Sequence, residues 1–261
     1  GEVMQQYFLH KPLQVHDLVE MEPEQAHHIQ HVMRMKPDEI IRLADGKGHM
    51  YYAHVVFRDH KVFACVDEEM EDHTRTPVDM ILAQGLIKKE KWDFLLQKSA
   101  ELGVQRIIPF TSSRTVVKTK DEKVDKKRLR WNKILQEACE QCKRSTLVAL
   151  DSPKSFAELI KASEDADVKL IAYERADVKS AHVKEVLQKY PAPHKVFIVV
   201  GCEGGFSEDE VIQLEEVGFH RVSLGARILR AETAALSLLA CISFFYEMAG
   251  DHHENTGTTG K

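Results

Sequence analysis

The chain has 261 residues, of which 43% are hydrophobic and 30% are charged, a composition typical of an ordinary soluble globular protein. This composition excludes a fibrous or wholly disordered chain, and the longest apolar stretches, such as residues 234–245, are shorter than the roughly 20 residues that a bilayer span requires. We therefore expect no membrane anchor and no secretion signal, and five cysteines spread along the chain favour a reducing compartment, the cytoplasm, over a disulfide framework.

The first seventy residues show short strand patterns, interrupted by one helical pattern from about residue 23 to residue 34. Residues 45–48, Asp-Gly-Lys-Gly, have the turn chemistry of a hairpin. The pattern predicts a small β-barrel-like domain, with strands at residues 6–9, 39–45, 49–57 and 61–69.

Residues 68–77 are polar, end in proline and separate two different periodicities, which predicts a linker. Strand and helix patterns alternate after it, which predicts an α/β domain around a mainly parallel sheet. The predicted domains are residues 1–73 and 74–250, followed by a polar tail at 251–261. Strands are predicted at 78–84, 106–110, 169–173, 195–201 and 221–224, and helices at 90–102, 126–142, 156–164, 181–189, 207–217 and 231–248.

The net charge of −5 is unevenly distributed along the chain. Residues 84–147 contain 16 Lys and Arg against 8 Asp and Glu, which leaves a net charge of −13 for the rest of the chain. This concentration of positive charge is compatible with phosphate binding, and a solvated, lysine-rich helix face accounts for it equally well.

Two groups of possible metal ligands lack the spacing of a known site. Cys139 and Cys142 form a lone CxxC with no second pair to complete four zinc ligands. His27, His28 and His31 share one predicted helix, but no further ligand has a recognisable spacing to them. We therefore predict packing or surface roles for both groups, and no metal.

The first glycine-rich loop is Gly-Cys-Glu-Gly-Gly-Phe, at residues 201–206, and it follows a strongly apolar strand. Glycines let a backbone approach a ligand closely and leave its amide groups accessible, and Ser207 with Glu210 forms a capping box for the next helix. A tight strand-to-helix turn also needs glycine for purely structural reasons.

A second loop, at residues 224–234, also leaves a strand through glycine and enters a helix. It carries Arg227, Arg230 and Glu232, where a plain connection would be shorter and neutral. Two such loops at the carboxyl ends of strands predict a ligand pocket, because α/β proteins bind ligands there. The sequence has neither a GxGxxG loop opening an early βαβ unit nor a GxxxxGK[ST] loop.

These loops, taken together with three further segments, resemble the RsmE group of SPOUT methyltransferases. The further segments are Gln-Glu-Ala-Cys-Glu-Gln at 136–141 with Arg144, Gln-Lys-Ser-Ala-Glu-Leu-Gly-Val at 97–104 with Pro109, and His-His-Ile at 27–29 with Val32 and Arg34. The resemblance extends from about residue 7 to residue 248, with the segments in matching order.

The resemblance implies an N-terminal PUA-like RNA-binding β-barrel and a C-terminal SPOUT α/β domain that ends in a trefoil knot. It also implies that the knot loops hold S-adenosylmethionine, with S-adenosylhomocysteine as the product. The implied cofactor-binding residues are Ala172, Tyr173, Glu174, Gly201, Glu203, Gly204, Gly205, Leu224, Gly225, Ile228, Leu229, Arg230, Thr233 and Ala234.

The sequence departs from the family pattern in two places. The family usually has proline where Cys202 stands, and serine and glycine where Cys142 and Lys143 stand. Proline fixes φ and cysteine does not, so the first loop is expected to be looser while still binding the donor.

The reaction that the resemblance implies is methylation of N3 of a uridine in 16S ribosomal RNA, within the small subunit. N3 must lose its proton, so we assign Arg230 and Arg144 to stabilising the resulting anion, whereas Glu232 is either the base or the partner of an arginine. The residues expected to contact RNA are Lys88, Lys91, Lys98, Arg114, Gln141 and Arg144.

The last predicted helix, at residues 231–248, is apolar almost all round. This pattern indicates either a deep core position or a homodimer contact, and the family resemblance favours the homodimer. The alternatives to the main functional prediction are a knotted methyltransferase that modifies a ribose 2′-hydroxyl or a transfer RNA base, and a non-catalytic RNA-binding ribosome-assembly factor.

Overall fold

The computed structural model describes residues 4–116, 121–173 and 181–248, without the side chains of residues 121–123. The chain divides into two compact units. The first contains the described residues up to Arg75 together with Gln136–Leu147, and the second contains Thr76–Leu135 and the described residues from Val148 onwards.

The first unit is built on a curled five-stranded sheet in the order β1-β3-β4-β5-β2. All neighbouring strands are antiparallel except β1 and β3, which are parallel. Alternate residues of β4 and β5 point into the core, where Ala53, Val55 and Ala64 are fully buried. The strands are β1 (Gln6–Phe8), β2 (Leu18–Glu20), β3 (Ile40–Ala44), β4 (Met50–Arg58) and β5 (Lys61–Met70).

One short helix, α1 (Pro23–His27), packs on this sheet and continues as a π-helical turn over His28–Val32. Proline at its first position has no N–H group that needs a partner, and a capping box between Glu22 and Gln25 provides hydrogen-bond acceptors for backbone N–H groups at its N-terminus. Ile29 is fully buried in the core of the first unit.

The second unit is built on a seven-stranded parallel sheet in the order β10-β12-β9-β11-β6-β7-β8. β11 lies in the middle and pairs with both β6 and β9, and the run Lys-Val-Phe-Ile-Val-Val suits this position because both faces of a parallel sheet are covered. The strands are β6 (Asp79–Gly85), β7 (Arg106–Phe110), β8 (Ala149–Leu150), β9 (Val168–Ala172), β10 (Ala181–His182), β11 (Lys195–Val200) and β12 (His220–Ser223).

Helices connect these strands and cover the sheet. They are α2 (Lys89–Glu101), α3 (Asp121–Gln141), α4 (Phe156–Ala162), α5 (Val183–Leu187), α6 (Glu208–Glu216) and α7 (Ala231–Ser243), and a π-helical turn over Phe244–Met248 extends α7. α7 packs against α2 and against β6, β9 and β11, and its Leu238, Leu239 and Ile242 side chains are fully buried.

Residues 231–248 are long and apolar enough to cross a membrane, and in the described part of the chain no other helix is. That criterion depends on length and composition alone, so a helix in a protein core meets it as well. The packing of α7 on the sheet is that of a core helix, and the expected absence of a membrane anchor stays a prediction.

The predicted alternation of strands and helices in the second half is confirmed, as are the four predicted strands and the helix of the first half. Three very short strands, β2, β8 and β10, were not predicted, because two or three residues carry no periodicity. The predicted helix at 181–189 is wrong at its start, where β10 precedes α5. The predicted linker at 68–77 begins too early, since β5 continues to Met70.

Candidate functional site

A cavity of about 920 Å³ opens in the second unit at the carboxyl ends of its central strands. Its lining comes from the end of β9, the loop after β11, the loop after β12 and the start of α7. This is the edge at which α/β sheets bind ligands. The predicted cofactor-binding residues that line the cavity are Ala172, Tyr173, Gly201, Glu203, Gly204, Gly205, Ile228, Leu229, Arg230 and Ala234.

The remaining predicted cofactor-binding residues do not line the cavity. Leu224 and Gly225 precede its lining residues on the second loop, where Gly225 N–H donates to the Ser223 hydroxyl at 3.3 Å. Thr233 is exposed on α7, and Glu174 lies outside the described residues. The assignment of these four residues to the cofactor stays a prediction.

The first glycine loop lies directly against the end of β6. A Cβ atom on Gly85 would lie 2.6 Å from the backbone nitrogen of Cys202, so only glycine fits there. The fully buried Gln84 donates its Nε2 hydrogen to Gly201 O at 3.2 Å. Neither residue was among the predicted site residues, although a glycine at the end of an apolar strand is a signal of close backbone approach.

Within the loop, Gly205 adopts a φ of +68°, which favours glycine, and a Cβ atom there would meet nothing within 4 Å. The loop therefore leaves open space beside its backbone. Phe206 closes the loop by stacking on Phe110, with 6.1 Å between ring centroids.

A segment that follows β7, residues 111–116, braces the same loop. Arg114 Nη1 donates to Gly204 O at 3.2 Å, and the Cys202 thiol donates to Arg114 O at 3.3 Å. A proline at position 202 could not make the second bond. The departure from the family pattern therefore supplies a hydrogen bond between the two segments, in contrast to the looser loop expected from the sequence.

The carboxylate of Glu210 joins this segment to α6. It accepts hydrogen bonds from the Ser113 hydroxyl at 3.0 Å, from Ser113 N–H at 3.2 Å and from Ser207 N–H at 2.9 Å. Burial raises the pKa of Glu210, but the hydrogen bonds from Ser207 and Ser113 outweigh it and hold that pKa below its ordinary value. The capping box that the sequence predicted at Ser207 and Glu210 is confirmed.

Three of the predicted RNA-contacting residues lie at or beside the cavity. Lys91 and Arg114 line it, and Lys88 donates its backbone N–H to Glu203 Oε1 at 3.2 Å. Lys98 is farther along α2 and pairs with Glu101 at 3.2 Å. The first two residues place positive charge at the cavity.

The predicted catalytic residues differ in their surroundings. Arg230 is exposed, lines the cavity and is the N-cap residue of α7. Glu232 does not line the cavity, and its Oε2 atom is buried without a hydrogen-bond partner among the described residues.

The other two predicted residues, Gln141 and Arg144, belong to the first unit. Arg144 is 6% exposed, donates to the Thr146 hydroxyl at 3.1 Å and accepts a hydrogen bond from Gln6 on its carbonyl. Its predicted contacts with RNA and with the uridine anion stay predictions.

Two family models match the chain. The RNA methyltransferase domain matches residues 74–243, and the RNA methyltransferase PUA domain matches residues 22–62. The ribosomal RNA small subunit methyltransferase E of Bacillus subtilis is 37% identical over 86% of this chain and 89% of its own length.

This chain belongs to the ribosomal RNA small subunit methyltransferase E family. The Aquifex aeolicus member is 31% identical over 82% of this chain and 89% of its own length. The member from Neisseria gonorrhoeae, solved bound to S-adenosyl methionine, superposes with a TM-score of 0.83 at 31% identity, covering 94% of this chain and 98% of the other. A methyltransferase from Legionella pneumophila, also solved with that cofactor, superposes with a TM-score of 0.82 at 32% identity. The superposition covers 93% of this chain and 98% of the other.

We predict that Glu210→Gln lowers the free energy of unfolding by about 1–3 kcal/mol at pH 7, because an amide cannot replace a buried carboxylate that accepts several hydrogen bonds. Since the pKa of Glu210 is lowered by folding, its contribution is complete above the ordinary glutamate pKa of about 4.3 and is lost as the pH falls through the folded-state value.

The measurement is urea denaturation of this variant and the original protein between pH 7 and about pH 3. Glu216→Gln, at the exposed end of α6, is the matched control and should change stability by less than about 0.5 kcal/mol. A difference for Glu210→Gln that stays constant down to pH 3 would contradict the assignment.

Proposed function

We propose that this protein transfers the methyl group of S-adenosylmethionine to N3 of a uridine in 16S ribosomal RNA, within the small subunit. The observation that carries the proposal is the cavity formed by the two glycine loops, in a chain whose relatives are named small subunit methyltransferases. Two solved relatives, those from Neisseria gonorrhoeae and Legionella pneumophila, have S-adenosyl methionine bound. Since small subunits are made in the bacterial cytoplasm, we also propose a cytoplasmic location.

The residues present fit the methyl donor. A volume of about 920 Å³ lies within the range of pockets for ligands of this size, and the open space beside Gly205 gives a ligand access to backbone groups. Ile228 and Leu229 supply apolar contact surface. We propose that these residues, with Gly201, Glu203 and Gly204, hold S-adenosylmethionine and then its product S-adenosylhomocysteine, and that no metal takes part.

When bound, the cofactor supplies an electrophilic methyl group on a sulfonium ion. N3 of uridine becomes nucleophilic when its proton leaves and charge spreads over the neighbouring carbonyls. We propose that Arg230 donates hydrogen bonds to that charge, because it is the predicted catalytic residue that lines the cavity. The cavity holds the two reacting groups at close range, which removes much of the entropic barrier.

The role of Glu232 follows from its position. Its Oε2 atom is buried without a hydrogen-bond partner among the described residues. Because Glu232 does not line the cavity, we propose that it is not the base and that the N3 proton leaves to solvent. Its place in the first turn of α7 lets its negative charge stabilise the N-terminus of that helix.

Positive charge at the cavity supports RNA binding there. We propose that Lys91 and Arg114 contact phosphates next to the target uridine, with Lys88 and Lys98 contacting the strand along α2. The PUA domain would add shape recognition of the RNA. The two matched segments, 22–62 and 74–243, support a domain boundary near residue 74.

We also propose that the C-terminal segment forms a trefoil knot. After β12, at the outer side of β9, the chain returns through α7 to pack on β6, β11 and α2. This return passes the loops that leave the central strands, as threading requires. The test is an experimental structure of this protein. If pulling the two ends of its backbone trace apart would give a straight line, the chain has no knot and the proposal is refuted.

A homodimer is proposed from the end of α7. Phe244 and Met248 are 60% and 66% exposed one helical turn apart, and Ile228 beside the cavity is 98% exposed. We propose that Phe244 and Met248 belong to one apolar patch, since contiguous exposed apolar patches mark interaction surfaces. Sedimentation should give twice the chain mass, and Phe244→Asp should give monomers, whereas Phe94→Asp on α2 should not; a monomeric wild-type protein argues against the dimer.

The main proposal predicts a specific product. Small subunits from a strain lacking the modification, incubated with this protein and labelled S-adenosylmethionine, should yield 3-methyluridine after digestion to nucleosides. Subunits that already carry the modification are the control and should take up no label. A label on a ribose, or on transfer RNA alone, would overturn the assigned reaction, and calorimetry showing no binding of the donor would indicate a non-catalytic RNA-binding protein.

Arg230→Ala should lower kcat/KM for methyl transfer about 10²–10³-fold, the effect of removing one donor from a developing oxyanion. Arg227→Ala is the matched control: Arg227 is exposed on the same loop and does not line the cavity, so its loss should leave the rate within a few fold. Equal losses in the two variants would show that the loop contributes only general positive charge.

A further inference from the structure

Three side chains of different chemistry meet on the outer face of the first unit's sheet. His54 lies on β4, and Cys65 and Asp67 lie on β5. One nitrogen, sulfur or oxygen ligand atom from each lies within 4.8 Å of the other two. Neither the cavity of the second unit nor the proposed methyl transfer uses this cluster.

The strand register brings the three residues together. His54 and Cys65 are directly paired across β4 and β5, so their Cβ atoms are about 5 Å apart. The ladder shifts between Tyr52 and Ala53, where Val66 pairs with Ala53 and Glu68 pairs with Tyr52. Asp67 is therefore the extra residue of a β-bulge, a device that redirects a side chain.

The bulge directs the Asp67 carboxylate to His54. Nδ1 of His54 lies 2.8 and 3.0 Å from the two Asp67 oxygens, and this carboxylate has no other side-chain hydrogen bond among the described residues. The cluster is accessible, because the His54 and Asp67 side chains are 28% and 39% exposed. Cys65 is a free, half-buried thiol.

Imidazole, thiolate and carboxylate are the three protein ligand types that Zn²⁺ accepts. With metal–ligand distances of about 2.0–2.3 Å, neighbouring ligand atoms of a tetrahedral site are about 3.5 Å apart. The present separations, all within 4.8 Å, exceed that value by about 1 Å at most.

We propose that His54, Cys65 and Asp67 form a surface site for one divalent transition-metal ion of the zinc class, with water as the fourth ligand. On binding, the Cys65 thiol and His54 Nδ1 each release a proton to solvent, and His54 Nε2 takes one up, so that the imidazole ligates the metal as the neutral ring. The ion links β4 to β5 at the bulge and stabilises the sheet of the first unit, because it binds the folded state alone.

The sequence does not predict this site, because its three ligands lie on two different strands and the bulge depends on how those strands pair. The prediction of no metal was drawn from Cys139, Cys142 and the histidines of α1. The proposed site is independent of the methyltransferase reaction, so it stands or falls separately from the proposed function.

Co²⁺ is the probe, because a cobalt–thiolate bond has a charge-transfer absorption in the near ultraviolet. The full-length protein, freed of metal with a chelator, is titrated with Co²⁺ and then with Zn²⁺. We expect an absorption that saturates at one equivalent and is removed by Zn²⁺. Cys65→Ser should abolish it, and Asp67→Asn should weaken binding at least about 10-fold, because an amide oxygen is a poorer ligand for Zn²⁺ than a carboxylate.

His49→Ala is the matched control. His49, which directly precedes β4, and Glu69 of β5 also form a histidine–carboxylate pair, at 3.3 Å, and no cysteine joins them in a cluster of metal ligands within the described part of the chain. The control should retain the absorption, and Zn²⁺ should raise Tm for the original protein and for His49→Ala but not for His54→Ala.

Two results would overturn the proposal. One is the absence of a cobalt–thiolate absorption in the original protein. The other is an absorption that survives in Cys65→Ser and disappears in Cys139→Ser, which would assign the metal to the CxxC pair. Circular dichroism of each variant shows whether it is folded, and His54→Ala provides the same test if Cys65→Ser is not.

Discussion

The close contact between the end of β6 and the loop that follows β11 determines the shape of the cavity in the second unit. Gly85 has no room for a side chain because the backbone of Cys202 lies against it. Gln84, fully buried at the neighbouring position, holds Gly201 through its amide. The end of β6 therefore holds the first glycine loop on one side, and the loop is open to a ligand at Gly205.

The same loop is fixed from the side by hydrogen bonds that cross between segments. Ser113 and Ser207 donate to one carboxylate, that of Glu210, and Arg114 exchanges hydrogen bonds with Cys202 and Gly204. Because Arg114 also lines the cavity, a phosphate that attracts its guanidinium group would act on the loop that faces the methyl donor. If RNA binds Arg114 as proposed, binding of RNA and binding of the donor would be linked through this one side chain.

Much of this architecture was predictable from the sequence. Long apolar strands such as the one at 195–200, the capping box at Ser207 and the two glycine-rich loops each carry a local signal, and local signals are what a linear pattern contains. The family resemblance then indicated which strand ends form a cavity.

Other features were not predictable, because they depend on residues far apart in the chain. The 2.6 Å approach at Gly85 and the hydrogen bond of Cys202 with Arg114 join segments that lie about one hundred residues apart. The bulge at Asp67 is a property of how two strands pair, and the sequence of either strand alone does not encode it. The burial of Arg144 in the first unit, where its carbonyl accepts a hydrogen bond from Gln6 of β1, likewise depends on residues far apart in the chain.

The central place of β11 also has a consequence for biosynthesis. β6 and β9 are synthesised before β11, and neither can pair with β11 until residues 195–200 have left the ribosome. Long-range pairing of this kind folds slowly, and the unpaired edges of a nascent sheet are prone to aggregate. The growing polypeptide therefore leaves one edge of β6 unpaired from the synthesis of Gly85 until that of Lys195, and its yield in the cell should depend on chaperones that shield this edge.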